Sequence, residues 1–234
     1  MEINYKNIKV IGFDADDTLW VNETYFREAE VEFGSLLSEY ETLNKLDQEL
    51  FRKEIDNLPL YGYGVKAFVL SMVESALEQS NYNISPKSIA SILNIGKNML
   101  NKPVELLDGV EEVLKTLSKK YRLILATKGD LLDQERKLEK SGLTDYFHHI
   151  EVLSDKKETN YSRLLNHLEV KPSEFLMIGN SLKSDVLPLV NIKAHAIHVP
   201  FHTTWAHEKV SEKEINGKHY NTIKSLKDVL TLLK

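Results

Sequence analysis

Five short apolar runs, each followed by a stretch with helical periodicity, restrict this chain to a narrow set of folds. They occupy residues 8–13, 122–126, 149–153, 175–178 and 194–199. Their length and β-branched content suit strands buried on both faces. Between them lie amphipathic stretches such as Val110, Val113, Leu114 and Leu117, spaced to share one side of a helix. Strand–helix alternation of this kind predicts an α/β architecture, a doubly wound parallel sheet with helices on both faces. No internal repeat or low-complexity tract interrupts it.

The first crossover departs from the pattern. Residues 14–121 separate the first run from the second, far more than the roughly dozen residues a strand–helix–strand connection needs. The insert has helical stripes of its own. Tyr25, Ala29, Phe33, Leu36 and Tyr40 form one, and Val65, Phe68, Val69, Met72, Val73, Ala76 and Leu77 form another. Ser85-Pro86 has the form of a helix start, a capping serine before a proline at the first helical position. The organisation expected is a core of residues 1–20 and 103–234, with a smaller all-helical domain, residues 21–102, inserted after strand one. The breaker-rich segment 57–64, NLPLYGYG, is expected to be a loop between its helices.

Composition narrows the functional classes. A hydrophobic fraction of 42% and a charged fraction of 28% are ordinary for a globular protein. A net charge of −5 gives no sign of nucleic-acid binding, which favours a basic face. With no cysteine, thiolate chemistry and disulfides are excluded. No run approaches the ~20 apolar residues of a membrane span, and the opening MEINYKNIKV lacks an apolar stretch of signal-peptide length. The expectation is a cytoplasmic protein with no membrane partner.

Four polar clusters fall at, or just beyond, the carboxyl ends of predicted strands, where open parallel sheets bind ligands. Asp14-Ala-Asp16-Asp17-Thr18 follows VIGF. A carboxylate held at the end of a buried strand suits a nucleophile or a cation ligand, and one two residues later suits general acid–base work. Thr127-Lys128-Gly129-Asp130 follows RLILA and has the hydroxyl and backbone N–H groups of a phosphate cradle. Lys156-Lys157 follows EVLSD, and a lysine there can neutralise a phosphoryl group. Gly179-Asn180-Ser181 with Asp185 follows FLMIG and supplies oxygen donors for a small hard cation. Taken singly, each could be a turn or a solvated surface; together and in this order they point to one site.

In order and spacing these residues resemble the four motifs of the haloacid-dehalogenase superfamily, over about residues 8–200. The resemblance implies a Rossmann-like core with an inserted helical cap, and a magnesium-dependent phosphatase that acts on a small phosphorylated molecule. It implies that Asp14 is the nucleophile and Asp16 the general acid and base. Thr127 and Lys156 would hold the phosphoryl group, and Asp14, Asp16, Asn180 and Asp185 would surround Mg²⁺. Tyr61, Tyr63 and Lys66 in the insert are candidates for substrate specificity.

The chain departs from the family pattern in three places. Asn180 stands where a metal-binding aspartate is usual, Lys128 where a small or amide residue is common, and two adjacent lysines compete for the third motif. Lys156 is preferred on its spacing to Tyr161, with Lys157 as the alternative. His202, Trp205 and His207, in a loop after the last run, lack a third metal-binding partner and are left outside the site. A phosphomutase, a dehalogenase or a catalytically inactive phosphate-ligand binder of the same superfamily are the competing readings. Asp16 argues against the dehalogenase, which generally lacks that second aspartate.

Overall fold

The computed structural model describes residues 5–233; residues 1–4 and 234, assigned to the core from the sequence, lie outside it. Contacts divide the chain into two compact units. Among the described residues, one consists of residues 5–23, 104–128 and 134–233, and the other of residues 24–103 and 129–133.

The larger unit is built on a six-stranded parallel sheet. Its strands are β1 (Val10–Phe13), β2 (Arg122–Lys128), β3 (His149–Leu153), β4 (Phe175–Gly179), β5 (His195–His198) and β6 (Asn221–Thr222), in the order β3-β2-β1-β4-β5-β6. The five expected runs all form strands. The sixth is a two-residue polar edge strand with no apolar pattern to announce it. Residues alternate between two cores. Ile11, Phe13, Leu123, Leu125, Leu176 and Ile178 face one side with Val110, Val113, Leu114 and Leu117. Val10, Ile124, Ala126, Phe175 and Met177 face the other with Tyr161, Leu164 and Leu165. With both faces covered, the strands read as continuous apolar runs.

The order reverses at β1, which pairs with β2 on one side and β4 on the other. Its carboxyl end is therefore the topological switch point of the sheet. The chain leaves the larger unit and returns to it along paired segments, with Val21 N–H donating to Glu105 O (3.0 Å) and Leu107 N–H to Leu19 O (2.9 Å).

The smaller unit is helical. It holds α1 (Glu23–Leu37), α2 (Leu43–Tyr61), α3 (Val65–Gln79) and α4 (Pro86–Asn101), whose core includes Phe33, Leu37, Leu46, Leu50, Phe68, Met72, Ile92 and Ile95. Ser85 caps α4 as its sequence indicates, its Oγ accepting from Ser88 N–H at 3.0 Å. The 57–64 segment corrects the sequence reading, because α2 continues through Pro59 to Tyr61 and only residues 62–64 form a loop. Side-chain ties to α3 override the breaker signal. Buried Asn57 donates to Ser71 Oγ (3.1 Å) and Glu74 Oε2 (3.2 Å), and Tyr61 donates to Glu74 Oε1 (2.6 Å). The helix stops at Gly62, where φ of 72° favours a residue without a Cβ. Residues 129–133, assigned to the core from the sequence, pack with these helices instead. Among the described residues no helix is long and apolar enough to cross a membrane.

The remaining helices that matter to the site are α5 (Val110–Leu117), α6 (Leu131–Ser141), α7 (Glu158–His167) and α8 (Leu187–Asn191).

Candidate active site

β1 delivers Asp14 to the switch point, and Asp14 N–H donates to Ile178 O of β4 at 2.9 Å. The chain then turns sharply. Leu19 N–H returns to Ala15 O (2.8 Å), and Asp17 adopts φ of 63° with its N–H on Trp20 O (2.7 Å). Asp17 is buried, and its carboxylate accepts from Asn22 N–H (2.8 Å) and Glu23 N–H (3.0 Å), capping α1. Burial pushes the Asp17 carboxyl up to about 8 against the pull of those two backbone bonds.

Asp14 and Asp185 share one ammonium group. Lys156 Nζ lies 2.5 Å from Asp14 Oδ1 and 2.7 Å from Asp185 Oδ1, and its side chain is 1% exposed. Burial disfavours that charge, but the two carboxylates outweigh it and hold the lysine well above its usual range. The alternative lysine is elsewhere. Lys157 pairs with Asp155 and is 71% exposed.

Asp185 is fixed by Ser181, whose N–H donates to Asp185 Oδ2 at 3.0 Å. A Cβ at position 179 would lie 2.3 Å from Asp185 Oδ2, so only glycine leaves room for the carboxylate to close on the end of β4. Thr18 joins the loops, donating to Asp14 Oδ2 (3.1 Å) and accepting from Asn180 N–H (3.0 Å). Thr127 is buried at the end of β2, its hydroxyl making one long bond, 3.4 Å to Lys128 O.

Two observations bear on whether these residues fit magnesium. Asp14 and Asp185 share the single charge of Lys156 in a buried place, and burial together with Asp185 raises the Asp14 carboxyl to about 7 against the pull of Lys156, a deficit of positive charge that a cation would relieve. In addition, the side-chain amide atom of Asn180 that faces the first loop lies 3.2 Å from Asp16 O and 3.2 Å from Asp14 Oδ2. Neighbouring oxygen ligands of an octahedral magnesium, each at about 2.0–2.1 Å from the ion, sit roughly 3.0 Å apart. With the amide oxygen turned inward the three atoms fit such a shell; with the nitrogen inward, it donates to both. With the amide oxygen inward, a cation placed here would have a carboxylate, a backbone carbonyl and an amide as donors, with Asp185 close by. Among the described residues no group of three or more histidine, aspartate or glutamate side chains offers an alternative.

Asp16 has its carboxylate filled by donors. Oδ1 accepts from Trp20 Nε1 (2.7 Å) and Lys137 Nζ (2.6 Å), and Oδ2 from Gln134 Nε2 (2.8 Å). None of these three donors is visible in the motifs.

Lys128 and the loop after β5 belong together through Glu208. Its carboxylate pairs with Lys128, accepts from Ser181 Oγ, and accepts from Ser184 Oγ at 2.6 Å. The sequence singles out His202, Trp205 and His207 and gives no prominence to Glu208, the residue that anchors their loop. The one signal for it is Lys128 itself, an unusual charge beside the site that needs a carboxylate. Burial raises the Glu208 carboxyl, but Lys128 and the two serines prevail and hold it down to about 2.

A group depressed in this way stabilises the fold above its unfolded value near 4.5, and the contribution is lost as pH falls towards 2. At 1.36 kcal/mol per pH unit the contribution is about 3 kcal/mol. Glu208→Gln should lose stability of that order at pH 7 and lose less than wild type between pH 5 and 2. Urea unfolding across that range measures it, and equal pH slopes for both proteins would remove Glu208 as the anchor.

The structure thus brings Asp14, Asn180, Lys156 and Asp185 together around the ends of β1 and β4, places Asp16 in the same first loop, and sets Thr127 at the end of neighbouring β2. Tyr61, Tyr63 and Lys66 are in the helical unit, where Lys66 pairs with Asp130 at 2.9 Å.

Comparison with known proteins bears on the family and the fold. A family model described as haloacid dehalogenase-like hydrolase matches residues 8–192. A haloacid dehalogenase-like family hydrolase from Xanthomonas campestris superposes with a TM-score of 0.85 at 36% identity, over 99% of this chain and 94% of that one. Glyceraldehyde 3-phosphate phosphatase of Pyrococcus furiosus is 25% identical over 92% of this chain and 88% of its own length. N-acylneuraminate-9-phosphatase of Mus musculus is 31% identical over 35% of this chain, and the match spans only about a third of that relative, 35%.

Proposed function

The chain belongs to the haloacid dehalogenase-like hydrolases, and from that premise we propose that it is a magnesium-dependent phosphatase acting on a small phosphate monoester. The observation that carries this reading is the Asp14–Lys156–Asp185 cluster at the switch point, with Asp16 two residues beyond Asp14. Two relatives named as phosphatases of small molecules support the substrate class. Asp16 favours phosphoryl transfer over halide displacement.

In the proposed reaction an Asp14 carboxylate oxygen attacks phosphorus while the ester P–O bond breaks. The departing alkoxide takes a proton from Asp16, and Asp14 carries the phosphoryl group as an acyl phosphate. Asp16 then accepts a proton from water as it attacks phosphorus, releasing inorganic phosphate and restoring Asp14. Lys156 keeps Asp14 oriented and offsets the charge of the incoming phosphoryl group. Thr127, with its poorly satisfied hydroxyl, donates to a phosphoryl oxygen. Asp14, the Asp16 carbonyl, Asn180 and Asp185 would hold magnesium, which when bound supplies positive charge against the repulsion between nucleophile and phosphate. Tyr61, Tyr63 and Lys66 are proposed to select the leaving group.

A panel of sugar, triose and aryl phosphates, assayed with and without magnesium, tests the reading. Release of inorganic phosphate that requires magnesium is expected for at least one small ester. No turnover across the panel, with intact binding of phosphate, would favour the inactive ligand-binding relative. Asn180→Ala should raise the magnesium requirement by roughly 10–100-fold; an unchanged magnesium titration would reduce Asn180 to a turn residue.

A further inference from the structure

The surroundings of Asp16 carry more than the motifs assign. Its carboxylate is gripped by three side chains, and each contributes only donors. Trp20 comes from the same loop and is fully buried. Gln134 and Lys137 come from α6, more than a hundred residues away, and are three apart, so they share one face of that helix. Lys137 Nζ also reaches Asn22 Oδ1 at 3.3 Å, just past the loop.

Gln134 shows what this arrangement costs. It is 4% exposed, and its Nε2 serves both Asp16 Oδ2 (2.8 Å) and Lys128 O (3.2 Å). Its Oε1 is buried with no hydrogen-bond partner. A buried polar atom left unsatisfied is destabilising, so the amide is oriented for its two acceptors and not for its own satisfaction. An apolar residue would pack there without an orphaned oxygen, but it would leave Asp16 Oδ2 and Lys128 O without this donor.

We propose that Gln134 and Lys137 of α6 are positioning residues for Asp16, holding its ionised carboxylate at one place in the first loop between the proton transfers of the reaction. The inference rests on the reading of Asp16 as general acid and base. Neither residue touches the phosphoryl group. They act on the reaction through Asp16, and α6 thereby becomes part of the active-site scaffold.

Leaving-group dependence separates this role from a general structural one. An alkoxide needs its proton in the transition state, whereas p-nitrophenolate departs without one. Accordingly, kcat/KM, which reports the first chemical step, should depend on Asp16 for an alkyl phosphate and hardly at all for p-nitrophenyl phosphate. The experiment compares wild type, Asp16→Asn, Lys137→Met, Lys137→Arg and Gln134→Leu on p-nitrophenyl phosphate and on the best alkyl phosphate of the panel, with melting temperatures as a check on folding.

Asp16→Asn should lose about 10²–10⁴ on the alkyl ester. Lys137→Met and Gln134→Leu should each lose about 10–100-fold on that ester and less than about 3-fold on the aryl ester. Lys137→Arg should recover most of the loss, and Lys137→Met should add little in the Asp16→Asn background. Equal losses on both esters, no loss on either, or full additivity with Asp16→Asn would overturn the inference while leaving Asp16 as the acid. If Asp16→Asn itself fails to discriminate between the esters, the reading of Asp16 falls and takes the inference with it.

Discussion

Asp14→Asn should abolish turnover, by on the order of 10⁴–10⁶, as loss of a nucleophile does in enzymes that work through a covalent intermediate. An amide in that position forms no acyl phosphate. The variant should nonetheless remain folded. Asp14 and Asp185 crowd a single ammonium in a buried site, and burial together with Asp185 raises the Asp14 carboxyl against the pull of Lys156. Removing one of the two negative charges relieves that crowding, while the oxygen of the new amide can still accept from Thr18 or Lys156. The metal-free variant should therefore melt at or above the wild-type temperature. Acid-quenched wild type incubated with a phosphate ester should retain covalent phosphate, and the variant none. Wild-type turnover in a folded Asp14→Asn protein would place the nucleophile elsewhere.

How much of this is legible in the sequence depends on the range of each interaction. Strands buried on both faces must be apolar throughout, so β1 to β5 stand out as runs. β6 has two residues, Asn221 and Thr222, and leaves no such trace. The four motif clusters are legible because each sits at a strand end, where a short local segment has to supply both a turn and a reactive side chain. The end of helix α2 is misleading because Pro59 and Gly62 are local signals, whereas the bonds that keep residues 57–61 helical reach α3.

The same distinction explains what the sequence leaves hidden around the site. Gln134 and Lys137 meet Asp16 across 118 and 121 residues, and Lys128 meets Glu208 across 80. Such pairings follow from the topology of the sheet and not from any spacing in the chain. Lys156 and Lys157 are the instructive pair. Adjacent and chemically identical, they differ only in direction, since one side chain turns into the switch point and its neighbour into solvent.

That difference should appear as a large contrast in stability. Lys156→Met would leave Asp14 and Asp185 buried without a counter-charge, and breaking a buried ion pair from one side costs about 3–5 kcal/mol. For a chain of this size the melting temperature should fall by roughly 10 °C, and turnover should be lost with it, because the phosphoryl group also loses a cation. Lys157→Met should change neither, its partner Asp155 being a surface contact of little worth. Two further results would tie the loss to charge and not to packing. Magnesium should raise the melting temperature of Lys156→Met more than that of wild type, since the variant presents two unpaired carboxylates to the ion. Asp14→Asn should restore part of the stability of Lys156→Met in the double variant, a coupling expected of groups in contact and absent between independent sites. If the double variant instead melts at the additive value, Lys156 contributes through its hydrocarbon stem, and the electrostatic account of the cluster fails.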